Sequence, residues 1–339
     1  MGLIESLKYI WLFLPNLMPR EIYELGVMGV AFLAIVIFIT LMVLFMVWFE
    51  RKIIGHIQVR RGPLHTGGFH GWAQTIADTL KLFLKEDIIP TCVDRPVYVL
   101  APLIVFMSTV VAYIVIPFSR TLVARDINMG VLFVFAVSSV TTIGIFMAGW
   151  GSNNKYSLLG AMRVAAQIVS YEVPLLLSVL GVFMIAQTLS LSGIVEAQKH
   201  VWYILLQPVG FVIYVVAGIG EVNRLPFDIP EAESELVAGF HTEYSGLRFA
   251  FFFLSEYANM FVMSAMATVL FLGGWHGPVL PGFVWFMIKV FFFMFLMVWL
   301  RGTYPRLRVD QMMAFCWKVL LPLAFLNLLV TGLVMAAIR

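Results

Sequence analysis

The sequence predicts an all-α, polytopic membrane protein with eight transmembrane helices joined by some long cytoplasmic loops. Three observations carry this expectation. Hydrophobic residues make up 61% of the 339 residues and charged residues 12%, whereas a soluble domain is about a quarter charged. Mean hydropathy is +0.95. The apolar residues fall in runs of the length that crosses a bilayer, about 20 residues.

The runs define the elements in order. Before the first, Leu3, Ile4, Leu7, Trp11 and Leu14 recur at helical spacing and predict a short interfacial helix. The spans are expected at about 27–49, 97–118, 129–149, 158–187, 201–220, 249–273, 283–300 and 319–338. They form a single integral membrane domain over 1–339, with no internal repeat. Between the first two spans, Trp72, Ile76, Leu80, Phe83 and Leu84 share one helical face, with Gln74, Asp78, Lys81 and Lys85 elsewhere. That is an amphipathic interfacial helix, facing either a partner subunit or lipid and substrate. Lysine and arginine concentrate in the odd-numbered loops (Arg51, Lys52, Arg60, Arg61, Lys81, Lys85 and Arg95; then Arg301, Arg306 and Arg308). Basic loops stay in the cytoplasm, so both termini are expected on the outer side of the membrane.

Several chemistries are excluded. The arginines are scattered and form no nucleic-acid stripe. Cys92 and Cys316 alone cannot ligate an iron–sulfur cluster, which needs about four thiolates. The six histidines show no metal-ligand spacing. Gly62, Gly67 and Gly68 lack the strand–helix context of a nucleotide site. No cofactor or metal is therefore expected on this chain.

What remains is charge inside apolar segments, which is expensive and marks function. Glu172 lies mid-span just before Pro174, where a kink is expected. Glu256 sits about two turns into the sixth span, and Lys289, in the seventh, is expected to serve helix packing. The densest signal is Glu221-Val222-Asn223-Arg224-Leu225-Pro226-Phe227-Asp228, followed by Glu231, Glu233, Glu235 and Glu243. Glu231 and Glu235, four apart, would share a helix face. Interleaved Leu225, Phe227, Ile229, Leu236 and Val237 argue against a solvated acidic loop. Packed carboxylates titrate as a coupled set, which suits proton transfer.

These motifs also occur in a familiar order: Glu50-Arg51-Lys52, Val59-Arg60-Arg61-Gly62-Pro63, Ala77-Asp78-Thr79-Leu80-Lys81, and Ala166-Gln167-Ile168-Val169-Ser170-Tyr171-Glu172. The 221–228 run, Glu231-Ala232-Glu233-Ser234-Glu235, Glu243-Tyr244, Glu256-Tyr257 and Arg301-Gly302-Thr303-Tyr304-Pro305-Arg306 follow. Across nearly its whole length the chain resembles the family formed by the H subunits of bacterial complex I and their mitochondrial counterparts. The resemblance implies a membrane subunit of a proton-translocating NADH-quinone oxidoreductase, not catalytic alone. Its loops would dock peripheral-arm subunits that hold FMN and iron–sulfur clusters, and small membrane-arm subunits would be neighbours. Quinone would be the substrate, in a tunnel entered past Arg51, Arg60 and Asp78, with Glu221, Arg224 and Asp228 near its inner part. Glu172, Glu231, Glu233, Glu235, Glu243 and Glu256 would form an acidic path flanked by Arg301. The second reading is the homologous ion-translocating subunit of a membrane-bound hydrogenase or another non-NADH dehydrogenase. A stand-alone transporter would show paired broken helices in two halves, which the sequence lacks.

Overall fold

The computed structural model describes residues 20–229 and 233–338. The expected N-terminal interfacial helix and Glu231 lie outside the described residues. Lipid offers backbone groups no hydrogen bonds, so a spanning segment must satisfy them internally. The apolar runs accordingly fold as helices, and no strand occurs among the described residues. In chain order they are α1 (Arg20–Ile57), α2 (Gln74–Leu84), α3 (Arg95–Tyr113), α4 (Gly130–Gly151), α5 (Lys155–Ala186), α6 (Leu191–Ala197), α7 (Tyr203–Leu206) and α8 (Pro208–Glu221). Then come α9 (Glu233–Leu236), α10 (Gly246–Phe271), α11 (Gly282–Thr303), α12 (Val309–Phe315) and α13 (Leu321–Ile338), the last two joined through a π turn at Cys316–Leu320.

Seven of the eight expected spans are helices long and apolar enough to cross a membrane. The fifth differs. Instead of one helix over 201–220, the chain breaks at Gln207 (φ −130°, ψ 54°), with Pro208 opening α8. Proline disfavours helical backbone in the residue before it. The remaining 14 residues reach about 21 Å at 1.5 Å per residue, short of a hydrocarbon core of about 30 Å. The break is sealed by side chains. Gln207 Nε2 donates to Thr331 Oγ1 at 2.6 Å, and Asn327 Nδ2 donates to Gln207 Oε1 at 2.9 Å. The eighth span also starts earlier than expected, at Val309.

α10 is the hub of the bundle: from Met260 to Phe271 every residue is buried. It packs on α1, α3 and α11, while α5 packs on α4, α8 and α13. The prolines inside α3 and α5 each leave a carbonyl four residues back without its helical donor. In both cases another element supplies one. Tyr244 Oη donates to Tyr98 O at 3.1 Å, four residues before Pro102. Cys316 Sγ donates to Ser170 O at 3.1 Å, four residues before Pro174.

Lys289 has the packing role expected of it. Its Nζ donates to the carbonyls of Leu272, Gly274 and His276 at 2.7–3.0 Å, just past the end of α10. A cation there complements the negative end of the helix dipole. Trp72, two residues before α2, and Ile76, Leu80, Phe83 and Leu84 on it are all exposed, so the amphipathic face is real and is turned away from the bundle.

Candidate functional site

The loop after α8 organises the site. Gln167 of α5 is fully buried, and its Nε2 donates to Gly220 O (2.7 Å) and Phe227 O (2.8 Å), clamping both ends of the loop. Arg224 N bonds Ile219 O, and Phe227 N bonds Arg224 O. Asn223 takes a left-handed conformation (φ 56°), which asparagine tolerates well. Phe227, Ile229 and Leu236 are buried, as their interleaving with the acids suggested, whereas Val237 is exposed.

This clamp drives Arg224 into the bundle, where it is 3% exposed. Its guanidinium lies 2.9 Å from Glu256 on α10 and 3.4 Å from Glu50 on α1, and 4.3 Å above the Tyr257 ring. Arg301, in the last turn of α11, pairs with the other side of Glu50. Two arginines and two carboxylates thus form a charge-balanced cage. Burying charge is costly unless it is paired, and here each ion has an opposite partner. The two carboxylates keep Arg224 firmly cationic against the cost of burial.

The cage separates two cavities. The outer one, about 1010 Å³, is lined by Glu50, Tyr257, Arg301 and Phe253 on one side. Arg51, Arg60, Arg61, His65, Val47, Ile54 and Leu64 complete it. At its margin Arg51 pairs with Asp78 at 2.5 Å, both partly exposed. The inner one, about 80 Å³, is lined by Glu221, Asn223, Asp228, His241 and Glu256, with hydroxyls Ser138 and Thr141 from α4. Asp228 is also paired with Arg306 at 3.3 Å. Glu172 accepts a 2.5 Å hydrogen bond from Ser139 and interacts electrostatically with Glu221.

Glu235 and Glu243 lie apart from the inner cavity. Glu235 pairs with Arg163 at 2.5 Å and is half exposed. Glu243 accepts from Asn154 Nδ2 at 2.6 Å. Glu233 begins α9. The structure adds three residues that the sequence pattern does not single out: Glu50, which holds both cage arginines; Gln167, the clamp; and His241 at the inner cavity. Glu50 stands in a charged motif at the end of a span, Gln167 is uncharged, and His241 has no partner at metal-ligand spacing.

A model of the family described as NADH dehydrogenase matches residues 30–332. The chain is 54% identical over 290 residues to the H subunit of the NADH-quinone oxidoreductase of Geobacillus sp. (strain WCH70), covering 84% of this chain and 87% of that protein. It is 55% identical over 289 residues, with the same coverage, to the corresponding H subunit of Anoxybacillus flavithermus (strain DSM 21510 / WK1). The chain belongs to this family. As a member it is an integral membrane polypeptide of an oxidoreductase complex. The matched region contains both cavities and the whole arginine–carboxylate cage.

Proposed function

We propose that this chain forms the quinone tunnel of a proton-translocating NADH-quinone oxidoreductase in a bacterial cytoplasmic membrane. In this reading, buried charge couples quinone reduction to proton movement. The carrying observation is the cage of Glu50, Arg224, Glu256 and Arg301 between an outer cavity of ligand size and an inner acid-lined cavity. Cavities that take small molecules run to about 300–1,000 Å³, largely apolar with a few placed polar groups. A quinone fits that chemistry: an apolar body, and two carbonyl oxygens that accept hydrogen bonds. Arg60, Arg61 and His65 are donors along the outer wall, and the Arg51–Asp78 pair stands at its margin. The peripheral-arm and small membrane-arm subunits would cover the loop-rich end, and FMN and iron–sulfur clusters would reside in those partners. On this orientation the termini lie outside.

Reduction of a quinone takes up two electrons and two protons. Negative charge appearing in the outer cavity attracts Arg224 and loosens its hold on Glu256. Glu256, with its counter-ion drawn away, then takes up a proton from water. Return of Arg224 reverses this and drives a proton into the inner cavity, toward Asp228, Glu221 and Glu172. The relatives carry the quinone oxidoreductase name, which favours this reading over the hydrogenase-type one.

Glu172→Gln tests the relay. The amide keeps the size of the side chain and its contact with Ser139 but cannot carry a proton. In inverted membrane vesicles, proton translocation is expected to fall roughly tenfold or more, the scale of a lost acid–base group, while NADH oxidation by ferricyanide persists. Wild-type protons per electron in the variant would remove Glu172 from the path.

A further inference from the structure

His241 belongs to none of the charged motifs, yet it lines the inner cavity together with Glu221, Asp228 and Glu256. Its ring is held edge-on between Phe240 (5.0 Å) and Phe249 (5.4 Å). The charged groups acting on it are Glu256 of α10 and Asp228 of the arginine loop. From the helices packed on its turn, α4 brings Ser138 and Thr141 to this cavity and α5 brings Ile168, none of them ionisable near neutrality. Three buried oxygens at the cavity, Glu221 Oε2, Asn223 Oδ1 and Asp228 Oδ1, have no hydrogen-bond partner among the described residues. Asp228 itself is 6% exposed. Acceptors buried in this way call for donors, and the cavity has room for several waters.

We propose that His241 is a proton-relay residue: its neutral imidazole takes the proton that Glu256 releases and passes it on to Asp228. This deepens, and rests on, the relay in the proposed function. In the first step an O–H bond of Glu256 breaks and an N–H bond of the ring forms, through cavity water, leaving carboxylate and imidazolium. In the second the ring N–H breaks and the proton is bound by a carboxylate oxygen of Asp228. No electron is exchanged. Histidine is the side chain suited to accept and release a proton near neutral pH. Burial lowers the affinity of this ring for a proton, and the Glu256 and Asp228 charges oppose that. The resting ring is therefore neutral at pH 7 and is protonated only in passing.

The test uses His241→Gln and His241→Asn in the assembled complex, in inverted vesicles. It follows proton translocation, reduction of a short-chain quinone, and reduction of ferricyanide. In wild type, the ratio of quinone to ferricyanide rate is expected to rise with pH through a midpoint below about pH 6.5, as the ring deprotonates and becomes a competent acceptor. In both variants that limb disappears and proton translocation at pH 7 drops roughly tenfold. Either variant keeping both the limb and wild-type translocation overturns the proposal. If neither variant assembles, the wild-type ratio decides alone: a limb centred below about pH 6.5 supports the proposal and a flat ratio contradicts it. An Arg224→Ala complex assayed in parallel separates the two levels. If Arg224→Ala abolishes quinone reduction and the histidine variants change nothing, only the histidine role fails. If Arg224→Ala also leaves quinone reduction intact, the quinone reading fails with it.

Discussion

Arg224→Ala is expected to abolish quinone reduction, by roughly a hundredfold or more, while electron transfer from NADH to ferricyanide continues in complexes that assemble. Arg224 bridges both cage carboxylates. Its loss takes a cation from both carboxylates, while Arg301 stays paired with Glu50. A buried charge stripped of its partner costs about 3–5 kcal/mol, so assembly is expected to suffer too. The double variant Arg224→Ala/Glu256→Gln separates the two effects. It restores charge balance, because Glu50 and Arg301 remain a pair, and should recover assembly without recovering quinone reduction. Arg224→Lys is expected to fall between, since an ammonium is a point charge and cannot span two carboxylates as a guanidinium fork does. Native gels and the ratio of quinone to ferricyanide rates check all three.

Gln167→Leu is expected to have the second-largest effect, though it removes no charge. The leucine keeps the bulk of the side chain and removes one donor each from the carbonyls of Gly220 and Phe227, which retain the backbone N–H groups of Asn223 and Ile229. Each hydrogen bond lost costs about 0.5–1.5 kcal/mol net, so about 1–3 kcal/mol is at stake. The strain falls on the loop that carries Arg224. Thermal inactivation of the assembled complex should occur at lower temperature, and quinone reduction should fall more than ferricyanide reduction. Equal loss of both would mean that Gln167 supports the fold without positioning Arg224.

Much of the fold was legible because lipid imposes a simple rule: a crossing helix must be apolar over about 20 residues. The starts and ends of α4, α5, α10 and α11 follow that rule closely, whereas α3 stops at Tyr113, short of the expected 118. The break at Gln207–Pro208 escaped because hydropathy averages over a window, whereas the break depends on one dihedral before one proline. The pairing of Pro102 with Tyr244, and of Pro174 with Cys316, joins residues far apart in sequence, so only the tertiary structure reveals it. At the site, Arg224, Glu256, Asp228 and Glu221 were legible as charges in apolar surroundings, and the structure gathers them at one place. Glu235 was legible as an acid, but its neighbour in space is Arg163, not the cavity. Glu50 sits between an apolar span and two basic residues, where it reads as a helix end; only packing turns it inward, to 4% exposure.

Photolabelling of the assembled complex with a short-chain azidoquinone, followed by peptide mapping, tests most directly whether the outer cavity holds the quinone against the arginine–carboxylate cage. Label is expected on the cavity wall, at Leu64, His65, Phe253 or Tyr257; excess quinone should suppress it and Arg224→Ala should diminish it. Label confined to the exposed apolar face of α2 or to lipid-facing α13, or label indifferent to competing quinone, would contradict a quinone seat in this cavity.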